Sequence, residues 1–96
     1  MAVNKIENVA ANSPHLLTST NVSSSFTVFN HNRYPIEVYV TTGTTPPNTE
    51  TDGRIDIPAK SGLQQKLEDL FTAQGMPNRV WVLSRNGNAK VSVFHD

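Results

Sequence analysis

The sequence contains no cysteine, and aromatic and charged residues make up only 7% and 17% of its 96 positions. Without cysteine there are no disulfide bonds, thiolate metal ligands or cysteine nucleophiles, so a small disulfide-stapled secreted scaffold is not expected. Eight basic residues balance eight acidic ones, and neither sign is concentrated in one stretch. Nucleic-acid binders depend on a basic surface that neutralises phosphates, so we expect no nucleic-acid partner.

Long hydrophobic runs are also missing. The N-terminal stretch MAVNKIENVAANSPHLL has no apolar segment long enough for a signal peptide or a membrane helix. We therefore expect no membrane association, and synthesis and use in a cytoplasm-like setting. A chain of 96 residues has room for one domain with a compact, modest core.

Residue constellations that carry chemistry are lacking as well. The histidines His15, His31 and His95 have no second histidine or carboxylate at metal-ligand spacing. The acidic stretch TETDGRID at 49–56 lacks the ligand order of an EF-hand, and Asp-Gly before a strand is ordinary turn chemistry. The glycines form no phosphate-binding loop, and no Gly-x-Ser-x-Gly elbow occurs. We expect no enzymatic activity, no bound metal and no cofactor.

The composition changes near residue 23. Before it, isolated aliphatic residues stand among Asn, Ser and Thr. Ordering about twenty residues costs roughly 20–40 kcal/mol of backbone entropy, whereas each buried aliphatic side chain recovers about 1.5–3 kcal/mol. Such a segment should not order on its own domain without added backbone pairing. We predict that residues 1–23 are an extended N-terminal arm, either disordered or docked on a neighbouring subunit, and that residues 24–96 form a β-domain.

The β-domain shows apolar residues with a period of two. The runs 26–29, 36–40 and 55–57 alternate in this way and are bounded by Pro, Gly or Asn. The connection 41–53 contains two prolines and two glycines, which predicts a long surface loop.

The segment 63–71 is compatible with two structures. Its leucines and phenylalanine follow helical spacing, but residues 63–67 also suit a strand followed by a helical turn at 68–72. We favour the strand, because the neighbouring segments all need strand partners. About six short strands around one core predict an all-β fold, a small β-sandwich or barrel.

The C-terminal region contains the strongest local signal. Asn86-Gly87 is the preferred pair for a two-residue type I′ hairpin turn. With those residues as the loop, Val82 faces Val91 and Val80 faces Val93, so that all four valines share one side of the ribbon. Turn chemistry and hydrophobic pattern agree on a hairpin.

That hairpin would place Trp81, Leu83 and Phe94 together on its opposite side, while Tyr39 points away from its apolar neighbours. A surface of this kind is too apolar to remain bare in a monomer. A second sheet can cover it, it can form a subunit interface or an arm-docking groove, or it can stack a sugar ring. The interface candidates, including the aliphatic residues of the arm, are Val3, Ile6, Val9, Leu16, Leu17, Tyr39, Trp81, Leu83 and Phe94.

The order of segments resembles that of small virion proteins of tailed bacteriophages, especially head decoration or cement proteins. The similarity covers roughly residues 24–96 and depends on the runs IEVYV (36–40), DGRIDIP (52–58), RVWVLS (79–84) and AKVSV (89–93). It is a similarity of layout without an invariant ligand motif.

This resemblance implies a structural virion protein that binds the outer surface of the major capsid protein lattice. It further implies a homo-oligomer, a trimer in the favoured case, on the capsid exterior after assembly in the host bacterial cytoplasm. Residues 1–23 would lie over neighbouring capsid subunits. Two other functions stay open: a carbohydrate- or receptor-binding module using Trp81, Tyr34 and Tyr39, and a minor tail or baseplate subunit.

Overall fold

The computed structural model describes residues 3–18, 22, 24–48, 54–66 and 77–95. Their backbone forms eight strands in two four-stranded sheets, and every strand pairing is antiparallel. The strands are β1 (Val3–Val9), β2 (His15–Leu16), β3 (Ser25–Asn30), β4 (Ile36–Thr41), β5 (Ile55–Ile57), β6 (Gly62–Lys66), β7 (Arg79–Leu83) and β8 (Ala89–His95). The first sheet has the order β1-β8-β3-β6 and the second the order β2-β7-β4-β5.

The predicted all-β fold, a small sandwich or barrel, is confirmed, and the two sheets form a sandwich. Alternating side chains of each sheet point into one shared core, as period-two sequences require. The buried core residues are Val9, Leu17, Val22, Phe26, Val28, Ile36, Val38, Ile57, Val80, Val82, Ala89, Val91 and Val93. The strands number eight rather than six, because the N-terminal segment contributes β1 and β2.

The strands predicted from alternation are present. The runs 26–29, 36–40 and 55–57 lie within β3, β4 and β5. For the ambiguous segment, β6 confirms a strand at Gly62–Lys66, paired along β3. The helical turn expected at 68–72 lies outside the described residues.

The predicted hairpin at Asn86-Gly87 is wrong. Strand β7 pairs with β2 and β4 in the second sheet, whereas β8 pairs with β1 and β3 in the first. Residues 84–88 therefore cross from one sheet to the other. The four valines do share one core, but Val80 and Val82 approach it from one sheet and Val91 and Val93 from the other. Period-two alternation is the same in both arrangements, so it does not distinguish a hairpin from a crossover.

Several polar contacts fix this crossover. The Ser84 hydroxyl donates to the Gly87 carbonyl at 2.5 Å. Gly87 has φ of +141°, a conformation that is essentially restricted to glycine. The Tyr34 hydroxyl donates to the Asn88 carbonyl, and Arg85 donates to Glu37 on β4. Glycine is therefore needed at position 87, but the connection joins two sheets and, because Asn86 does not have a positive φ, it is not the predicted type I′ turn.

The N-terminal segment 1–23, predicted as an arm, is extended and packs on the same chain over its described residues. β1 pairs with β8 along all its 7 residues, and β2 pairs with β7. Val9, Leu17 and Val22 belong to the core. Burial of scattered aliphatic residues alone cannot offset the entropy cost of ordering this segment. Strands β8 and β7 supply the additional backbone pairing that it needs.

β1 is only weakly stabilised in this position. Ordering its 7 residues costs roughly 7–14 kcal/mol of backbone entropy. Backbone hydrogen bonds return about 0.5–1.5 kcal/mol each, or about 4–10 kcal/mol for one bond per residue. Burial of Val9 adds about 1.5–3 kcal/mol. The gains and the costs cancel to within a few kcal/mol.

Leu17 provides a test of whether the N-terminal segment belongs to the core. It is fully buried, so Leu17→Ala should lower the free energy of unfolding by about 2–5 kcal/mol through lost burial and a residual cavity. The matched control is Ile6→Ala on exposed Ile6, with an expected change within about 0.5 kcal/mol. Urea unfolding followed by Trp81 fluorescence measures both. Equal, small effects would show that residue 17 is not packed as described.

Candidate docking face

The outer side of the first sheet carries an apolar cluster. Ile6 on β1 and Phe29 on β3 both lie directly opposite Ser92 on β8, one on each side of it. Phe94 is two residues further along β8 and therefore points to the same side. It stands diagonal to both, at about 7–8 Å by strand geometry. We call the surface formed by Ile6, Phe29 and Phe94 around Ser92 the docking face.

Two of these side chains are exposed to solvent. Ile6 is 64% exposed and Phe94 is 42% exposed, and among the described residues they are the exposed large hydrophobic side chains. Phe29 is half-buried because its ring lies against Gly62 of β6, where an added Cβ would be 3.1 Å from the ring. Glycine at this position therefore leaves room for the phenyl ring on the sheet surface.

Polar groups surround and interrupt the apolar side chains. The Ser92 hydroxyl lies 2.6 Å from the His31 Nε2, and the His31 ring contacts Phe29 with ring centroids 4.8 Å apart. Two lysines stand at the ends of this side of the sheet: Lys90 and Lys66. An apolar centre with a polar and charged periphery is the usual anatomy of a surface that binds another protein.

The structure brings together Ile6 and Phe94 from among the predicted interface residues. Val9 and Leu17 lie in the core instead, Leu16 is half-buried, and the Val3 side chain lies outside the described residues. Phe29 was not predicted as part of an interface. The signal was available, because Phe29 alternates with the inward-facing Phe26 and Val28 and so had to point outward.

The predicted aromatic surface of Trp81 with Phe94 is wrong, because β7 and β8 belong to different sheets. Trp81 and Leu83 instead join Tyr39 on the outer side of the second sheet, where they are 5%, 3% and 1% exposed. Leu16 packs against this cluster, and the Trp81 indole N–H donates to the Thr41 hydroxyl at 2.8 Å. The chain itself therefore covers these three interface candidates.

A charged cluster adjoins that buried group. The Glu37 carboxylate accepts hydrogen bonds from the Tyr39 hydroxyl at 2.6 Å and from the Arg85 Nε at 2.6 Å. The Arg54 Nε lies 3.9 Å from Glu37 and 3.3 Å from Asp56. Glu37, Arg54, Asp56 and Arg85 line a shallow cavity of about 390 Å³. Two cations face two anions, so the cluster ties the crossover to the second sheet and leaves no net charge for a ligand.

The pKa of Glu37 reflects these contacts. Burial raises the pKa of this carboxyl, but hydrogen bonds from Arg85 and Tyr39, with the charges of Arg85 and Arg54, outweigh burial. The pKa therefore lies below its ordinary value of 4.5. Burial and the hydrogen bond to Glu37 raise the pKa of Tyr39 above its ordinary 10.0.

A second charged group lies at the β1 edge. The Lys5 ammonium is 2.8 Å from Glu7, and the His15 Nε2 of β2 is 3.4 Å from the same carboxylate. The hydrogen bond from Lys5 lowers the pKa of Glu7, and burial opposes it only in part. Lys5 and Glu7 lie opposite the inward-facing Val93 and Val91. Charges directed inward from an edge strand discourage addition of a further strand.

In the part of the chain that the structure describes, no three His, Cys, Asp or Glu side chains converge as metal ligands. Within those residues no helix has the length and apolar character to cross a membrane. Of the histidines, His15 contacts Glu7, His31 contacts Ser92 and His95 is buried.

Glu37 gives a pH-dependent prediction. Because folding lowers its pKa, the ionised carboxylate stabilises the fold above the ordinary value of 4.5, and this contribution is lost as the pH falls through the lowered pKa. Glu37→Gln should therefore be less stable than wild type at neutral pH, and the difference should shrink on acidification below 4.5. Urea unfolding across pH measures it, with Asp56→Asn at the 62% exposed Asp56 as control. A difference independent of pH would contradict the assignment.

Comparison with known proteins supports the fold. No family model and no curated protein matches the sequence. The solved structure of PirA superposes on 97% of this chain and 93% of that chain, with a TM-score of 0.64 and 10% sequence identity. A second solved structure is a chain from Bacillus endospore appendages, described as a family of disulfide-linked pili. Its superposition covers 98% of this chain and 87% of that chain, with a TM-score of 0.46 and 12% sequence identity. At such identity, the similarity to PirA shows that the two chains share a fold.

Proposed function

We propose that this protein is a non-enzymatic structural module of a tailed bacteriophage that decorates and stabilises the capsid. It binds the outer surface of the major capsid protein lattice, and it does so as a homo-oligomer, with a trimer favoured. It is assembled in the host bacterial cytoplasm and resides on the virion exterior. The observation that carries this proposal is the docking face, where Ile6 and Phe94 are the exposed large hydrophobic side chains among the described residues.

The docking face suits a broad, shallow contact. Its apolar residues lie on hydrogen-bonded strands, which hold them in a fixed arrangement without a deep pocket. Burying one large apolar side chain contributes about 1.5–3 kcal/mol, so a single copy binds weakly. Copies joined as an oligomer on a symmetric shell bind together, and their combined avidity exceeds the affinity of each contact.

A carbohydrate-binding function has less support from the geometry. A sugar stacks on an aromatic ring that solvent can reach, but Trp81 and Tyr39 are 5% and 1% exposed. The hydroxyl of half-buried Tyr34 is engaged with the Asn88 carbonyl. The exposed aromatic residue Phe94 stands beside aliphatic Ile6, a combination more typical of protein interfaces.

The proposal is tested with empty shells assembled from the major capsid protein encoded in the same genome. Wild-type protein should sediment with these shells and saturate at a fixed ratio to the capsid subunits. The double substitution Ile6→Ser with Phe94→Ser should weaken binding at least about tenfold, since burial of each large apolar side chain contributes about 1.5–3 kcal/mol and a tenfold change corresponds to about 1.4 kcal/mol.

The matched control is Arg54→Ser, at a 49% exposed residue immediately before β5 of the second sheet. It should bind shells like wild type, and urea unfolding should show that both variants remain folded. Wild-type binding to purified tails but not to shells would overturn the capsid proposal in favour of a tail subunit. Unchanged shell binding by the double variant would remove the docking face from it.

A further inference from the structure

The N-terminal segment divides at Ala11 into two parts with different attachments. From Ala11 onward, the backbone is fixed to the body of the domain. Ala11 N–H donates to the Asn88 side chain at 3.0 Å, and Asn12 N–H donates to the Ser84 carbonyl at 2.7 Å. Leu17 N–H donates to the Val80 carbonyl at 2.9 Å, and its side chain is fully buried. This part cannot leave without opening the core.

The part before Ala11 has little attachment beyond backbone pairing. β1 pairs with β8 and with no other described strand. Of its described side chains, Val9 joins the core, and Val9 lies at the end of β1 next to the fixed part. Ile6 and Asn8 are exposed. Glu7 contacts Lys5 of the same strand and, at 3.4 Å, the His15 Nε2 of β2 in the fixed part. Ion pairs as exposed to solvent as this one contribute little to stability. β1 can therefore detach at a small cost in side-chain burial.

We propose that β1 is an exchangeable strand: in the assembled protein, β1 of one copy pairs with β8 of a second copy in the register seen here. This deepens the proposed function, on which it rests, by naming how the copies are joined. An exchanged strand makes the same pairs as a closed one, so the exchange costs only the advantage of intramolecular pairing. On a shell surface the copies are close together, and this high local concentration reduces the advantage of intramolecular pairing.

The docking face connects this exchange to binding. Ile6 lies on β1, whereas Phe94 and Phe29 lie on β8 and β3 of the body. After exchange, each docking face is completed by Ile6 from a second copy. Exposed Ala10 is the joint between β1 and the fixed residues Ala11 and Asn12, and the turn continues through Asn12, whose φ is +65°. Asparagine adopts this conformation more readily than other non-glycine residues.

Single cysteines report the exchange, because the chain has none of its own. Asn8 and Lys90 are exposed and directly opposite one another on β1 and β8. We would mix Asn8→Cys carrying a mass tag with untagged Lys90→Cys and oxidise the mixture. Exchange predicts about tenfold more tagged–untagged disulfide than for Asn8→Cys mixed with Gln64→Cys, since Gln64 lies on β6, two strands from β8.

A locked variant supplies the second readout. Asn8→Cys and Lys90→Cys in one chain should form an internal disulfide that keeps β1 on its own β8. Light scattering should then show a monomer, and reduction should restore the oligomer. Mixed single variants that cross-link no more than the Gln64 control, or an oxidised locked variant that oligomerises like wild type, would overturn the exchange.

Shell binding separates this inference from the proposed function. Wild type that binds shells while the single cysteine variants fail to cross-link would overturn the exchange alone. Single cysteine variants that cross-link in the mixed experiment, together with wild type that fails to bind shells, would overturn the capsid proposal alone.

Discussion

The fold depends on one interaction, the packing of valines from the two sheets against each other across a shared core. Val80 and Val82 come from one sheet, and Val91 and Val93 from the other, although only a short crossover separates them in sequence. Because β7 and β8 lie in different sheets and do not pair with each other, each can pair with other strands along both of its edges. Two further strands pair with each, β2 and β4 with β7, β1 and β3 with β8.

Local alternation was sufficient to predict the strands but insufficient to predict their partners. A side chain such as Val82 must point inward whether its strand continues into a hairpin or crosses to a second sheet, so the pattern carries no information about the pairing. Asn86-Gly87 favoured a tight turn for sound reasons, yet glycine is needed here because φ at Gly87 is +141° in a connection between layers. The choice between these arrangements is decided by long-range pairing, which one sequence does not reveal.

The same limitation applies to the candidate site. Exposure of Ile6 and Phe94 follows from their alternation in β1 and β8, but their proximity follows from the pairing of those strands. Trp81 was expected beside Phe94 and is instead buried with Tyr39 on the second sheet. The energetic estimate for residues 1–23 correctly required backbone pairing, but the prediction that followed from it had the segment either disordered or docked on a neighbouring subunit. In the structure the same chain supplies the pairing.

The two outer surfaces differ in a way that bears on function. The second sheet is closed by Tyr39, Trp81 and Leu83, with Glu37 holding the crossover through Arg85. The first sheet keeps exposed apolar side chains, and one of them, Ile6, lies on an edge strand. We therefore expect the stability of the domain and the proposed binding to depend on different surfaces. We expect substitutions on the outer side of the first sheet to change assembly, while the core between the two sheets keeps the domain folded.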